Sequence, residues 1–141
     1  MKYPEAPEDP FLAACRGLPH ERTPVWFMRQ AGRSLPEYRA IRGTGSILDT
    51  IANPELATEI TLQPVRRYGT DAAILYSDIV VPVHAIGFGV DVEPGIGPVV
   101  DRPFERAADL DRIRPLDPES DTPYVLETVR ALASELSVPL I

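Results

Sequence analysis

Apolar and polar residues are patterned in three ways along this chain, and each predicts a different element. Residues 71–78 (DAAILYSD) carry the continuous apolar run AAILY, as expected of a parallel strand buried on both faces. Residues 90–100 (VDVEPGIGPVV) alternate, break at PGIG and resume, which predicts a hairpin. From Thr122-Pro123 onward, Val125, Val129, Leu132 and Leu136 form one stripe of an amphipathic helix. Residues 138–141 (VPLI) then begin a second apolar run.

Turn and cap residues divide the rest. Asp9 and Pro10 predict a helix over 9–18, stopped at Gly17. Pro24 to Met28 reads as extended, with Trp26, Phe27 and Met28 as core or packing residues, and Arg29 to Arg33 reads as loop. Ser34 and Glu37 have capping-box spacing for a helix ending at Gly43, and Ser46 and Asp49 repeat it for a short turn over 47–52. Asn53-Pro54 opens the next helix, with Leu56, Ile60 and Val65 near one face, a kink at Pro64, Arg66 and Arg67 in the last turn and Gly69 as C-cap. A short helix is predicted over 81–87 behind Pro82. The stretch 101–121 reads as surface loop with one helical turn near 106–113.

Strand, crossover helix and strand in this order imply a βαβ unit, a parallel sheet and the α/β class. No internal repeat is present. A domain rarely stops inside a core strand, because the open sheet edge is adhesive. The 141 residues are therefore expected to be an N-terminal piece of a larger domain, cut within its second parallel strand.

The N-terminal MKYPEAPEDPF has no apolar core, so no secretory signal is expected, and no run approaches the roughly 20 apolar residues of a membrane span. The single Cys15 argues against a disulfide framework, and a cytosolic location is expected. A net charge of −7 disfavours nucleic acid as a partner. Yet residues 16–42 hold Arg16, Arg22, Arg29, Arg33, Arg39 and Arg42 against only Glu21 and Glu37. Such a basic window in an acidic chain suits a small polyanionic ligand, or else a solvated helix face.

Arg29 and Arg33 flank Gln30, Ala31 and Gly32. Each guanidinium can grip a carboxylate through two parallel N–H···O bonds, and the small Ala31 and Gly32 leave room for a ligand to approach the backbone. The alternative is that both arginines pair with acidic residues of the protein. Asp78 follows the AAILY strand at its C-terminal end, the end that faces the binding site in parallel α/β folds. The alternative there is a cap on the following turn. His20 and His84 are isolated, with His84 more suited to core or capping, and no cluster has metal-ligand spacing. Cys15 lacks a base partner, Gly95-Ile-Gly97 suits a tight turn better than a phosphate loop, and Tyr38 reads as packing.

The run from Pro24 to Arg39 (PVWFMRQAGRSLPEYR) closely resembles the N-terminal signature of the uroporphyrinogen decarboxylase family. The resemblance continues in order through NPELATEITLQPVRRY, DAAILYSDIVVP and GFGVDVEPGIGPVV, covering roughly residues 9–141. It implies an incomplete (β/α)8 TIM barrel, residues 1–141 being the N-terminal part. The implied function is decarboxylation of the four acetate arms of uroporphyrinogen III to coproporphyrinogen III, with no cofactor and no metal. A cytoplasmic homodimer is implied for the full length, with no nucleic-acid or membrane partner. The resemblance makes Arg29 and Arg33 ligands of substrate carboxylates, makes Gln30, Ala31 and Gly32 part of the binding loop, and puts Asp78 opposite the pyrrole N–H groups. Ile47-Leu48 stand where relatives often carry Phe against the macrocycle. Ser34 replaces a common Tyr, and Gly69-Thr70 replaces a more apolar pair. The family's later Tyr, Ser and His contributions fall beyond Ile141, so the 141 residues alone are expected to be inactive. Two alternatives remain, a corrinoid-linked methyltransferase of the same superfamily and a catalytically inactive fragment.

Overall fold

The computed structural model describes residues 9–141, and the acidic, proline-rich reading of residues 1–8 lies outside the described residues. The elements are α1 (Pro10–Cys15), α2 (Pro36–Arg42), α3 (Ile47–Ile51), α4 (Pro54–Tyr68), α5 (Val81–Ala85), the strands β1 (Val90–Glu93) and β2 (Gly97–Val100), a 3-10 turn (Ala107–Arg112), α6 (Pro118–Asp121) and α7 (Pro123–Glu135).

Proline marks where most of these helices start. All but α3 carry it in the first two positions, where its missing N–H has no intrahelical partner to lose and its fixed φ is already helical. Asp9 caps α1 by accepting from the Phe11 and Leu12 N–H groups, and Asn53 caps α4 through Leu56 N–H. Helix α3 has the predicted capping box between Ser46 and Asp49. The box predicted at Ser34 and Glu37 is absent. Helix α2 starts at Pro36 with Leu35 as its uncapped N-cap, because the proline sets the first turn two residues after Ser34. Helix α4 runs unbroken through the buried Pro64 and ends at Gly69, whose φ of +62° is the left-handed conformation of a C-cap.

The 71–78 segment is less regular than its sequence predicts. It makes one parallel bridge, Ala73 with Leu140, through Ala73 N–H to Pro139 O (2.8 Å), Ile141 N–H to Ala73 O (2.9 Å) and Leu75 N–H to Ile141 O (2.9 Å). The parallel pairing expected of a βαβ unit is therefore present, with α7 as the crossover. Past Leu75 the backbone leaves the ladder, and the Tyr76 N–H donates to the buried Thr61 hydroxyl of α4 (2.9 Å). Ala72 and Ala73 are buried, while Ile74 and Leu75 are half-buried and face an open cleft. The predicted hairpin forms in register, Val90 opposite Val100 and Glu93 opposite Gly97.

The core lies where α2, α3 and α4 meet the 72–76 segment. Leu35, Leu48, Ile51, Ala57, Ile60 and Val81 form one cluster with Tyr38 and Tyr76. Helix α7 packs on α4 through Leu132 and Thr128, whereas Val129 of the predicted stripe is turned outward. The central segment thus packs against helices on one side and opens to solvent on the other, in a mixed helix and strand architecture.

Candidate active site

Two ties hold the 22–33 segment against the start of the 72–76 strand. Arg22 forms a bidentate pair with Asp71, and the same carboxylate accepts from the Val25 N–H at 2.7 Å while Asp71 N–H donates to Val25 O at 2.9 Å. Hydrogen bonding from Arg22, with that from Val25, holds the Asp71 carboxyl below the usual carboxylate range, against the opposing effect of burial. Gln30 supplies the second tie, to Ala72 O. Because the folded state favours the Asp71 anion, its contribution is complete above the free carboxyl value near pH 4 and is lost as pH falls through the lower folded value. We expect Asp71→Asn to lower stability by about 1–3 kcal/mol at neutral pH and to flatten the loss of stability on acidification, read from urea midpoints across pH. A midpoint as pH-dependent as that of the wild type would contradict this.

The two ties bring the predicted residues to one cleft of about 430 Å³, lined by Arg29, Gln30, Ala31, Gly32, Arg33 and Asp78 among others. Arg29 and Arg33 are exposed, and neither guanidinium has a hydrogen-bond or ion-pair partner among the described residues. Among the described residues, then, the alternative that they pair with acidic side chains is not realised. Asp78 is half-buried, and its Oδ1 accepts from the Val80 N–H at 3.0 Å. The capping role considered for it is therefore present, but it occupies one oxygen, and Oδ2 has no partner among the described residues. A carboxylate with one free oxygen and two free guanidiniums share a wall-to-wall space.

Other predicted residues fall differently. Met28 is 77% exposed and Phe27 57%, so the reading of Trp26, Phe27 and Met28 as core or packing residues is corrected for Phe27 and Met28, while Trp26 packs on Phe11. They sit on the segment that leads to the cleft, and Trp26 meets Phe11 edge-on at 6.3 Å. His84 bonds to Val90 O at 2.7 Å and ties α5 to the hairpin. Ile47 lines the cleft, whereas Leu48 is buried in the core.

Sequence reasoning passed over a hydroxyl network in the cleft wall. Tyr38 OH lies 3.2 Å from Tyr76 OH, which also accepts from Arg42 Nε at 3.2 Å. Burial, and then the Tyr38 hydroxyl, push the Tyr76 phenol above its usual range. Beyond this wall a second cleft of about 410 Å³ opens between Arg39, Arg42 and the hairpin turn, sharing Arg33, Tyr38 and Ile47 with the first. The signal was available. Tyr38 and Arg42 are four residues apart on one helix, and Tyr76 lies two residues before Asp78 on an extended segment.

Residues 6–141 match the Uroporphyrinogen decarboxylase (URO-D) family. The chain is 62% identical over 135 residues to a uroporphyrinogen decarboxylase of Salinispora tropica, covering 95% of this chain and 36% of that protein. It is 58% identical over 132 residues to the Streptomyces griseus protein of the same name (93% and 36%), and 55% identical over 138 residues to that of Mycobacterium sp. strain KMS (97% and 39%). The chain thus spans about two fifths of the length of the curated relatives it matches. These names do not favour the methyltransferase alternative.

Proposed function

The chain belongs to the uroporphyrinogen decarboxylase family, and from that premise we propose that a full-length protein carrying it converts uroporphyrinogen III to coproporphyrinogen III by removing CO₂ from the four acetate arms. The 72–75 and 138–141 segments would be neighbouring strands of a (β/α)8 barrel, with Asp78 at its C-terminal mouth. The observation that carries the reading is the one cleft lined by Asp78 and by Arg29 and Arg33, whose guanidiniums have no partner among the described residues.

Loss of CO₂ from an acetate arm leaves an electron pair that needs a sink. A pyrrole is its own sink once the ring α-carbon next to the arm-bearing carbon is protonated, because the cation then spreads over nitrogen and the arm-bearing carbon and takes up the electron pair as an exocyclic methylene. Protonation of that methylene and loss of the added ring proton give the methyl group. The scheme therefore calls on no organic cofactor and no metal. Asp78, as an anion, accepts hydrogen bonds from pyrrole N–H groups and offsets the positive charge that develops on the ring, a contribution larger in the transition state than in the ground state. Arg29 and Arg33 grip carboxylates of the substrate, with Ala31 and Gly32 admitting it close to the loop backbone. Ile47 offers an apolar surface to the macrocycle edge.

The same reading carries a cytoplasmic homodimer that binds neither nucleic acid nor membrane. The net charge of −7 supports the first exclusion, and among the described residues no helix is long and apolar enough to cross a membrane. It also implies that the 141 residues alone do not turn over. The test is anaerobic incubation of the full-length protein with uroporphyrinogen III, followed by chromatography of the oxidised porphyrins. The expected result is stepwise loss of four carboxyl groups, and recovery of unchanged substrate would overturn the proposal.

A further inference from the structure

Within the 29–33 loop, Arg29 and Arg33 point to solvent while Gln30 turns inward and is only 6% exposed. Both ends of its carboxamide are in use. Oε1 accepts the Phe27 N–H at 3.2 Å, and Nε2 donates to the Ala72 carbonyl at 2.9 Å. The partners fix the orientation of the amide, since a flipped group would set its NH₂ against an N–H and its oxygen against a carbonyl. The first partner lies on the segment leading into the loop. The second lies on the segment that leads, six residues on, to Asp78. One buried side chain thus spans the two pieces of backbone that carry the arginines and the carboxylate. The tie through Asp71 lies further from the arginines, at Val25, and the loop itself has no helix or strand to hold it.

We propose that Gln30 is a positioning residue, whose side chain sets the Arg29 and Arg33 guanidiniums against the Asp78 carboxylate rather than gripping the substrate. The inference rests on the decarboxylase reading above and assigns Gln30 a role within it. A bidentate grip on a carboxylate needs its guanidinium held to within a fraction of an ångström, and a misplacement of about 1 Å can cost up to about a hundredfold in rate. Gln30→Met keeps the length and bulk but leaves the Phe27 N–H unpaired and the Ala72 carbonyl with only the Thr70 hydroxyl, at 3.1 Å, freeing the loop to shift.

The test is a double-mutant cycle on kcat/KM for uroporphyrinogen decarboxylation by the full-length protein, normalised to folded enzyme by circular dichroism. Gln30→Met is expected to lower kcat/KM about tenfold in the wild-type background and by a clearly smaller factor, roughly threefold, once Arg29→Ala is present and only the share acting through Arg33 is left. A general structural defect would give the same loss in both backgrounds. Equal losses in the two backgrounds, or no loss in the first, would overturn the inference while leaving the arginine clamp intact. An Arg29→Ala variant with unchanged kcat/KM would instead sink the clamp, and the inference with it. Should Gln30→Met fail to fold, Gln30→Asn, which reaches one partner at most, is expected to show the same dependence on Arg29, and uniform loss would again overturn it.

Discussion

Asp78→Asn is expected to lower kcat of the full-length enzyme about 10²- to 10³-fold, with a much smaller change in KM. The substitution is informative because it separates the two roles of the side chain. An asparagine Oδ1 can still accept the Val80 N–H that Asp78 Oδ1 accepts at 3.0 Å, so the turn into α5 should survive and thermal stability should barely move. What disappears is the negative charge of a residue that lines the cleft. Each tenfold in rate is about 1.4 kcal/mol of barrier, so the expected loss is roughly 3–4 kcal/mol of transition-state stabilisation. Wild-type turnover in this variant would remove Asp78 from the chemistry and leave it a turn cap.

Arg29→Lys is expected to lower kcat/KM about 10- to 100-fold, the range of one lost charge-assisted hydrogen bond at about 1.5–3 kcal/mol. Lysine keeps the positive charge but replaces a planar fork by a point charge, so electrostatic attraction survives while the two parallel bonds do not. Folding is not in question, because the Arg29 guanidinium is exposed and holds no other residue among those described. The same change at Arg33 should act in the same direction. Steady-state kinetics with uroporphyrinogen III would decide the point, and a lysine variant within twofold of the wild type would show that charge alone suffices.

How far the molecule was legible in its sequence depended on how local the determining interaction was. Asp9, Ser46, Asn53 and Gly69 act on backbone groups within a few residues, and each was read correctly. The parallel pairing of Ala73 with Leu140 was legible from the two apolar runs and the amphipathic stretch between them. The full extent of the strand was not, because the Tyr76 N–H goes to Thr61, a residue of α4 that no pattern in 71–78 announces. Ser34 and Glu37 had the right spacing for a cap, but Pro36 between them fixed the start of α2 instead. Phe27 and Met28 are apolar yet largely uncovered, so composition alone misplaced them.

For the candidate site, residue type and spacing pointed to Arg29, Arg33 and Asp78, and the fold supplies what they could not, a shared cleft. The role of Gln30 was hidden because an amide between two arginines reads as one more ligand. Its burial, and its bond to a carbonyl 42 residues away, emerge only in three dimensions. The Tyr38, Tyr76 and Arg42 network was missed for a related reason, since Tyr38 was read as packing, Tyr76 as part of the apolar strand and Arg42 only as charge.

The most direct test is a crystal structure of the full-length protein with coproporphyrinogen bound under reducing conditions. The expected result has an Asp78 carboxylate oxygen within hydrogen-bond distance, about 2.7–3.2 Å, of pyrrole nitrogens, and the Arg29 and Arg33 guanidiniums on carboxylates of the same molecule. A tetrapyrrole seated elsewhere, or seated there with Asp78 making no contact to its nitrogens, would contradict the account.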